Sequence, residues 1–519
     1  MAEANILWAD DEIDLLKPHI MFLESKGYKV VTANSGNEAI DLVKENVFDI
    51  VFLDENMPGL SGLEALQEIK SADPTLPVIM ITKSEEESIM EEAIGSKISD
   101  YLIKPVNPNQ ILLSVKKNLD DKRLIREKTT SGYQQNFRQI GMQLMDNMDF
   151  AEWAELYKKL VYWDLELADS QDEGMEEIFK TQRTEANGQF GRFIKENYID
   201  WLQDDSEEAP VMSHTLFKDK VAPILKDSGD DPVFLVVIDN LRYDQWKTIQ
   251  PRLNEYFRMT EEQMFYSILP TATHYARNAI FSGLLPTEME KMYSDIWKNE
   301  DDPGGKNLHE QEFLASQLKR LGFDIRWSYN KITNLNAGKK LSENFKNLLT
   351  NKLNVIVYNF VDMLSHKRTE MEVIKELADD ESAYRSLTDS WFEHSPLLEV
   401  IRKAAEENAR LIITTDHGTI RVQHPSKVIG DRNTNTNLRY KAGKNLDYDK
   451  RDVFEITNPS DAFLPKVNVS TSYVFALDDR FFVYPNNYNH FVNYFRNTFQ
   501  HGGVSMEEML IPFISLKAR

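Results

Sequence analysis

Residues 49–59 read DIVFLDENMPG, an apolar run that ends in the acidic Asp54 and is followed by a proline and a glycine. A short apolar run bounded by turn residues is typical of a buried β-strand. Amphipathic stretches with helical spacing alternate with four further short apolar runs, at 5–9, 28–32, 78–81 and 98–103. Because strand and helix alternate five times, the sequence predicts a doubly wound parallel sheet over residues 1–121.

Polar residues stand at the carboxyl ends of four of these strands. Asp10 and Asp11 follow the first strand, Asp54 the third, Thr82 the fourth and Lys104 the fifth. In a doubly wound sheet the chemistry gathers at this edge. Three carboxylates there predict a Mg²⁺ site, and Asp54 is the predicted nucleophile towards a phosphoryl donor. We expect Lys104 to neutralise the phosphoryl oxygens and Thr82 to hydrogen-bond to them.

These strand ends together resemble the response-regulator receiver family. The resemblance covers all five strand ends, including the DENMPG sequence at 54–59 and the Lys-Pro pair at 104–105. It implies phosphorylation of Asp54, Mg²⁺ bound by Asp10, Asp11 and Asp54, and a switch through Thr82 and Tyr101. Tyr101 occupies the position of the family's switch aromatic residue.

The strand signal disappears between residues 122 and 208, where two apolar stripes recur at helical spacing. The stripes are Trp153, Leu156, Tyr157, Leu160 and Val161, and Phe190, Phe193, Ile194, Tyr198 and Trp201. One apolar and one polar face per helix predict a small helical bundle that links two domains. We expect the aromatic stripes to form core, with a dimer face as the alternative. The run Asp204–Glu208 and the following Pro210 mark the next boundary.

Residues 209–519 predict a second and larger α/β sheet. Apolar runs predict strands at 232–238, 265–269, 354–360, 410–414 and 510–514, and helices at 310–321 and 395–408. Six potential metal ligands stand next to these strands: Asp239, Asp362, His366, Asp416, His417 and His501. Six ligands are too many for one tetrahedral ion and suit two. Carboxylates mixed with imidazoles favour Zn²⁺ or Mn²⁺ over Mg²⁺.

A threonine beside two such metal ions is the predicted catalytic nucleophile, because a bound hydroxyl loses its proton easily. Thr271 comes first after a predicted strand and its Pro270. Thr273 is equally a candidate N-cap of a helix that begins at His274, and that role would leave Thr271 free to face the metals. We therefore expect Thr271 to be the nucleophile, with Thr273 as the alternative.

Polar and basic residues near this site are candidate contacts to an anionic substrate. The candidates for substrate binding are Asn240, His274, Arg277 and Asn278. The last three follow the threonines on a predicted helix, whose N-terminus attracts phosphate oxygens, although a structural role is equally compatible with the pattern. The basic segment 441–444 is a further candidate, but we favour a solvated loop there.

The arrangement over residues 210–519 resembles the alkaline-phosphatase superfamily and, within it, the PglZ-type domain. The most specific stretches are Asp416-His417-Gly418 and the HGGVSMEE sequence at 501–508. The resemblance implies two metal sites, one of Asp239, the nucleophilic threonine, Asp416 and His417, the other of Asp362, His366 and His501. The superfamily contains phosphomonoesterases, sulfatases and mutases as well as diesterases, so that resemblance alone does not fix the substrate.

The order of receiver, helices and PglZ-type domain resembles the PorX-type response regulators. That resemblance implies a sensor histidine kinase as partner and a role in the control of type IX protein secretion. We expect a zinc-dependent phosphodiesterase for a nucleotide or oligonucleotide signal, controlled by phosphorylation through a homodimer or through domain packing. The alternative is a non-catalytic module that docks a transcription regulator, such as a sigma factor, when phosphorylated.

Composition narrows the partners and the compartment. The formal net charge of −24 makes direct DNA binding an unlikely output, because nucleic-acid affinity rests mostly on cationic contacts to phosphate. The apolar runs fall far short of the ~20 residues of a membrane span, and the N-terminus lacks the pattern of a signal peptide. The chain contains no cysteine, which excludes disulfides and fits a reducing compartment. We therefore expect a cytoplasmic protein without a membrane partner.

Overall fold

A computed structural model describes residues 4–73, 76–83, 98–170, 173–203, 209–299, 302, 304–370, 380–431, 434–466 and 468–519. It describes the backbone but no side chains for residues 120–128, 169–170, 173 and 366–370. The chain divides into two units, Met1–Gly132 and Tyr133–Arg519, and each is described by itself.

The first unit contains a five-stranded parallel sheet in the order β2-β1-β3-β4-β5. Its strands are β1 Asn5–Ala9, β2 Lys29–Ala33, β3 Ile50–Asp54, β4 Val78–Thr82 and β5 Asp100–Ile103. Its helices are the 3-10 helix Ile13–Leu16, α1 Lys17–Ser25, α2 Gly36–Glu45, α3 Gly62–Ala72 and the start of α4 Pro108–Met145. The predicted doubly wound sheet is confirmed, and every predicted strand lies within two residues of the observed one.

Apolar clusters cover both faces of this sheet, which explains the continuous apolar strands. Val51 and Leu53 of β3 pack in one cluster, whereas Ile50 and Phe52 pack in the other. Successive side chains of a strand point to opposite faces, so a strand buried on both sides has no polar alternation. Asp54, the last residue of β3, therefore lies at the carboxyl edge of the sheet.

The second unit is built on a six-stranded sheet in the order β7-β19-β10-β6-β9-β8. The strands of this sheet are β6 Val233–Ile238, β7 Phe257–Tyr266, β8 Trp327–Ile332, β9 Leu353–Tyr358, β10 Arg410–Thr414 and β19 Leu510–Ala518. β6 pairs in parallel with β9 and β10, while β19 runs antiparallel to both β10 and β7. The predicted strand at 232–238 is thus confirmed, and it lies in the interior of the sheet.

Smaller strands and the helices complete this unit. The remaining strands are β11 Ile420–Arg421, β12 His424–Ile429, β13 Tyr440–Gly443, β14 Asp447–Tyr448, β15 Val453–Ile456, β16 Ser472–Ala476, β17 Arg480–Val483 and β18 Phe499–Gln500. The helices are α5 Phe150–Ser170, α6 Glu173–Gln203, α7 Ala222–Asp227, α8 Tyr243–Ile249, α9 Thr273–Ser282, α10 Pro286–Met292, α11 Glu310–Arg320, α12 Leu335–Glu343, α13 Phe345–Leu348, α14 Phe360–Glu370, α15 Glu381–His394, α16 Pro396–Glu406, α17 Tyr488–Phe495 and α18 Met506–Met509. A π-helix covers Phe217–Val221, and 3-10 helices cover Gln250–Arg252 and Pro459–Ala462.

Helices α5 and α6 share a core with the six-stranded sheet. Trp153 of α5 and Phe190 of α6 lie in the same apolar cluster as Val236 of β6, and the ring of Phe190 stacks near Tyr266 of β7 with centroids 6.3 Å apart. The prediction that the aromatic stripes form core is confirmed, but this core is shared with the sheet rather than closed within a separate bundle. The predicted boundary run Asp204–Glu208 lies outside the described residues.

Two local expectations are wrong. The predicted strand 265–269 is the end of β7, which starts eight residues earlier; β7 is an edge strand whose outward side chains are polar, such as Arg258 and Glu261, so the apolar pattern misses it. The basic segment 441–444 is not a solvated loop throughout, because it overlaps strand β13 and Lys441 is only 1% exposed.

Candidate functional site

The carboxyl edge of the first sheet brings the predicted receiver residues together. Single carboxylate oxygens of Asp10, Asp11 and Asp54 lie within 4.8 Å of one another. The Lys104 ammonium lies 2.9 Å from Asp10 Oδ2 and 2.7 Å from Asp54 Oδ1. Burial raises the pKa of Asp54, with the neighbouring Asp10 adding to the shift and Lys104 opposing it. The three carboxylates carry more negative charge than Lys104 alone can neutralise. Their oxygens are therefore suitable ligands for a hard cation.

The predicted switch residues occupy two different environments. The Thr82 hydroxyl donates a hydrogen bond to the carboxylate of Glu55, the residue directly after Asp54. Tyr101 is 40% exposed at the far edge of the sheet, on β5. No sequence pattern assigns Glu55 a role, because a single acidic residue after a strand is usually solvated. The switching roles of Thr82 and Tyr101 stay predictions.

A second cluster lies at the carboxyl ends of β6 and β10. Ligand atoms of Asp239, Asp416 and His417 lie within 4.8 Å of one another, and all three residues are buried. Asp239 follows β6, and Asp416 and His417 follow β10. These strands pair in parallel, with Thr414 beside Val237, so the residues after them emerge side by side. The ligand positions expected from strand ends therefore meet in space.

A second pair of predicted ligands lies against this cluster. Asp362 is in the first turn of α14, directly after β9, and its Oδ1 lies 3.8 Å from His501 Nε2. The His501 ring stacks on the His417 ring, with centroids 4.2 Å apart. The helical turn expected from Asp362 onwards is present. The fourth residue along it, His366, has a helical backbone, and its side chain lies outside the described residues.

The two threonines differ in what their hydroxyls contact. Thr271 is fully buried; its Oγ1 donates to the Gly503 carbonyl at 2.9 Å and accepts from the Gly502 N–H at 3.1 Å. Thr273 is partly exposed, and its Oγ1 lies 3.0 Å from His417 Nε2 and 3.4 Å from Asp239 Oδ1. Helix α9 begins at Thr273 itself, with Ala272 as its N-cap residue. The expectation that Thr273 is the N-cap residue is therefore wrong. Which of the two threonines is the nucleophile stays a prediction.

Arg277 is a buried cation among the carboxylates. Its Nη2 donates to Asp239 Oδ2 at 3.0 Å, and its Nε lies 2.9 Å from Glu310 Oε1 and 3.6 Å from Asp416 Oδ2. Although burial opposes the charged form, Asp239, Glu310 and Asp416 raise the pKa of Arg277. Lys331 in turn lies 2.8 Å from Glu310 Oε2. Arg277 thus orients two predicted ligands.

The other candidate substrate contacts have structural partners. Asn240 takes the left-handed conformation, with φ 66°, in the turn after Asp239, and donates from Nδ2 to Ser365 Oγ at 3.2 Å. Asparagine tolerates this conformation better than most residues. The His274 ring stacks on Trp297 with centroids 4.8 Å apart, and Asn278 Nδ2 donates to the His274 carbonyl at 2.8 Å. Their contact with substrate stays a prediction.

The electrostatics of the second cluster fit divalent cations. Burial raises the pKa of Asp239 well above its usual value, with Asp416 and Asp362 adding to the shift. Burial also acts to raise the pKa of Asp416, but the charges of His417 and Arg277 lower it. Among the described residues, the buried Asp416 Oδ2 has no hydrogen-bond partner. An uncompensated buried carboxylate oxygen is costly unless a cation balances it.

The turn after His501 carries residues whose roles the sequence analysis did not assign. Glu508 accepts hydrogen bonds from the Gly503 N–H at 2.9 Å and from Arg439 Nη2 at 2.6 Å. A Cβ at Gly503 would lie 2.6 Å from the Ala476 carbonyl oxygen, so only glycine fits there. The motif 501–508 was quoted from the sequence, but Arg439 stands 69 residues before Glu508 and no pattern joins them.

Family models match three consecutive stretches of the chain. They are described as a response regulator receiver domain over residues 6–116, a PorX response regulator linker domain over 123–202, and a BREX system PglZ alkaline phosphatase-like domain over 216–516. The chain belongs to the PorX-type response regulators, with a PglZ output domain. A receiver domain implies a sensor histidine kinase that phosphorylates it. An alkaline phosphatase-like domain points to a hydrolase, and both domain types generally use metal ions.

Curated relatives are similar over about a quarter of the chain. Transcriptional regulatory protein ZraR of Klebsiella oxytoca is 34% identical over 27% of this chain and 31% of the relative. Alginate biosynthesis transcriptional regulatory protein AlgB of Pseudomonas syringae pv. tomato is 34% identical over 24% of this chain and 27% of the relative. Transcriptional regulatory protein ResD of Bacillus subtilis is 35% identical over 22% of this chain and 47% of the relative. The chain thus covers less than half the length of these relatives.

Solved structures of receiver domains are also similar to part of the chain. A response regulator receiver domain from Clostridium thermocellum is 33% identical, with 23% of this chain and 98% of that chain covered and a TM-score of 0.23. A CheY-like receiver domain from Methanospirillum hungatei is 27% identical, with 23% of this chain and 96% of that chain covered, and also has a TM-score of 0.23. In the part of the chain that the structure describes, no helix combines the length and apolar character of a membrane span.

Proposed function

We propose that this response regulator is a two-metal phosphodiesterase, with Thr273 as nucleophile and phosphorylation of Asp54 as its control. The observation that carries the proposal is the Thr273 hydroxyl, 3.0 Å from His417 Nε2 and 3.4 Å from Asp239 Oδ1. Thr273 is partly exposed whereas Thr271 is fully buried, so a substrate would reach Thr273 more readily. Thr271 is the weaker candidate, because its hydroxyl is already bonded to the backbone of Gly502 and Gly503.

Two sets of side chains support two cations. Asp239, Asp416 and His417 would hold one ion together with the threonine, and Asp362, His501 and the predicted His366 would hold the other. Mixed carboxylate and imidazole donors suit Zn²⁺, with Mn²⁺ as the next choice. Such ions would lower the pKa of the threonine hydroxyl and neutralise phosphoryl oxygens. In the receiver, Asp10, Asp11 and Asp54 would hold Mg²⁺.

The reaction is an in-line displacement at phosphorus. The Thr273 hydroxyl gives up its proton to solvent as Oγ1 bonds to phosphorus, and the ester oxygen on the opposite side leaves and takes up a proton. Water then breaks the bond between Thr273 and phosphorus, which releases the phosphomonoester and restores the hydroxyl. Arg277 does not need to touch the substrate for this, because its guanidinium already bonds Asp239 and Glu310. Its role in the proposal is to hold Asp239 in place.

Charge supports a diester rather than a monoester. Within the described ranges, the cationic side chain that contacts the ligand carboxylates is Arg277, and it is already paired. A phosphomonoester dianion would need more positive charge than a diester monoanion. Among nucleotide and oligonucleotide signals, cyclic nucleotides and short oligonucleotides contain the phosphodiester bond that the proposal requires. The PorX-type resemblance supports a place for this activity in the control of type IX secretion, through a phosphorylation-dependent homodimer and a transcription regulator such as a sigma factor.

The matched family models support the proposed domains, which are 1–121 for the receiver, 122–208 for the helical segment and 209–519 for the hydrolase domain.

The test compares hydrolysis of bis-p-nitrophenyl phosphate and p-nitrophenyl phosphate by the full chain, stripped of metal and then reloaded with Zn²⁺ or Mn²⁺. Thr273→Val and Thr271→Val are measured beside a control at an exposed threonine, Thr333→Val. The proposal expects metal-dependent cleavage of the diester that Thr273→Val abolishes and Thr333→Val preserves. Preference for the monoester would overturn the substrate class. Cleavage of neither ester with either metal would favour the docking module.

A further inference from the structure

Two consecutive carboxylates of the turn after His501 are held by different parts of the second unit. Glu508 is bound inside the hydrolase domain by Arg439. Glu507, only 2% exposed, is bound by helix α6 of the helical segment: Arg183 Nε donates to its Oε1 at 2.8 Å and Asn187 Nδ2 to its Oε2 at 2.9 Å. Asn187 Oδ1 also accepts the Met506 N–H at 2.8 Å. The helical segment therefore binds both the side chain and the backbone of this turn.

The same turn touches two chain segments of the proposed metal centre, at Thr271 and at Gly418. His501 Nδ1 lies 3.1 Å from the Thr271 carbonyl oxygen, and the neighbouring Gly502 N–H donates to Thr271 Oγ1. The Gly418 N–H, next to His417, donates to the Glu508 carbonyl at 3.3 Å. A Cβ at Gly418 would lie 1.9 Å from the Glu507 carbonyl oxygen, so the two backbones are in tight contact. A displacement of Glu507 would thus shift the backbone that positions His417 and His501.

Partly buried ion pairs extend this contact towards Asp239. Arg183 lies 3.7 Å from both Asp164 and Glu381, and Glu381 also pairs with Arg242, three residues after Asp239. Removing one partner from such a network leaves an uncompensated buried charge. Planar guanidinium groups fix direction in a way that a lysine ammonium does not. This network of ion pairs therefore fixes the direction of the Arg183 guanidinium as well as balancing its charge.

We propose that Arg183 and Asn187 are positioning residues of the hydrolase centre, and that a change in the helical segment reaches His501 through their bonds to Glu507. This inference rests on the proposed hydrolase function and names how that site is regulated. Among the side chains that the structure describes, neither residue contacts a proposed ligand, so each acts through the turn. Outer residues that orient metal ligands typically change metal affinity or activity by about 10- to 100-fold.

The test uses the full chain with Arg183→Lys, which keeps the charge but loses one of the two N–H groups on Glu507 Oε1. Arg192→Lys, on the exposed side of α6, is the matched control. Three quantities are measured: hydrogen–deuterium exchange of the peptide 500–509 without metal, Zn²⁺ affinity by chelator competition, and kcat and KM for the diester. We expect faster exchange in this peptide, Zn²⁺ affinity and kcat lower by about 10-fold, and KM nearly unchanged. The control should match the wild type.

Exchange that stays at the wild-type rate in residues 500–509 of Arg183→Lys would overturn the inference, as would an equal rise throughout β10 and β19, which would indicate general destabilisation. Asn187→Ala is the second variant if Arg183→Lys fails to fold, and it should raise exchange at the Met506 N–H in particular. If the wild type cleaves no ester, the exchange and Zn²⁺ measurements still decide the inference. Intact turnover with unchanged exchange would remove the positioning role and leave the hydrolase.

Discussion

The imidazole rings of His417 and His501 stack with their centroids 4.2 Å apart and their planes 19° apart. His417 follows β10 and belongs to the cluster with Asp239 and Asp416, whereas His501 follows β18 and lies against Asp362. The stack therefore joins the two proposed ligand sets into one centre. It also means that a change at either ring affects the other set.

Thr273→Ser should retain much of the diesterase activity that Thr273→Val loses. A serine keeps an oxygen at the attacking position, whereas valine keeps only the shape. We expect kcat to fall by about 10³-fold or more in the valine variant and by about 10-fold or less in the serine variant. Steady-state kinetics with bis-p-nitrophenyl phosphate measure both. Equal loss in the two variants would argue against Thr273 as nucleophile.

Metal removal should lower the thermal stability of the second unit. Arg277 pairs with Asp239 and Asp416, and the nearby Asp362 adds negative charge around Asp239, so bound ions would relieve repulsion between these carboxylates. A ligand that binds the folded state at 100 times its Kd contributes about 2.7 kcal/mol. Differential scanning calorimetry should show a lower Tm after chelation and recovery with Zn²⁺. His501→Ala should reduce the difference, whereas a substitution of the exposed His490 should not.

Lys441 should make the stability of the second unit rise with pH. Burial lowers the pKa of Lys441 to about 8, below its unfolded value of about 10.4. Between these two values the unfolded chain binds more protons, so the free energy of unfolding increases as pH rises from about 8 to about 10.4. At 1.36 kcal/mol per pKa unit the gain is about 3 kcal/mol.

Denaturant unfolding of wild type and Lys441→Met across that range measures the effect of Lys441. The difference in free energy of unfolding between them should change by about 3 kcal/mol in favour of the wild type as pH rises. Its Nζ also donates to the Asn435 carbonyl at 2.9 Å, a bond that the variant loses at every pH. Lys444→Met, at an exposed position of the same segment, is the control and should show no such trend. A parallel pH dependence of wild type and Lys441→Met would contradict the prediction.

Glu55→Gln should favour phosphorylation of Asp54. The Glu55 carboxylate accepts the hydrogen bond of the Thr82 hydroxyl and directly follows Asp54, which would gain a negatively charged phosphoryl group. An amide keeps the shape without the charge, so we expect a several-fold higher phosphorylated fraction with acetyl phosphate and Mg²⁺. Phosphate-affinity gel electrophoresis measures that fraction. Glu68→Gln is the exposed control, Asp54→Asn should show no phosphorylation, and an unchanged fraction in Glu55→Gln would count against the prediction.

Strand ends made much of both sites predictable from the sequence. Asp54, Asp239 and Asp416 each follow an apolar run, and parallel pairing brings such residues to one edge. The expectation that Thr273 is the N-cap residue was wrong for a local reason, since it depended on where α9 begins to within one residue. The expectation of a solvated loop at Lys441 was wrong because of tertiary packing. Its side chain is covered by groups that include the Tyr484 ring, 43 positions away in the sequence.

The bonds to Glu507 lay beyond sequence reasoning altogether. Arg183 stands 324 residues before Glu507, and no periodicity or motif connects positions so far apart. Its surroundings read as an ordinary polar helix face. Such long-range pairs follow from how the helices dock on the sheet, which only the three-dimensional structure describes.

The shared core of α5, α6 and the six-stranded sheet decides which parts of this protein are exchangeable. Trp153 and Phe190 pack in one cluster with the sheet, and the second unit starts at Tyr133. A fusion that joins a foreign input domain to the hydrolase domain at residue 209 would remove the part of this core that α5 and α6 supply. It would also remove Arg183 and Asn187, which bind Glu507. A junction just before Tyr133 would keep both intact. We therefore expect that the receiver domain can be exchanged for another input domain, whereas α5, α6 and the hydrolase domain have to be kept together in any engineered protein.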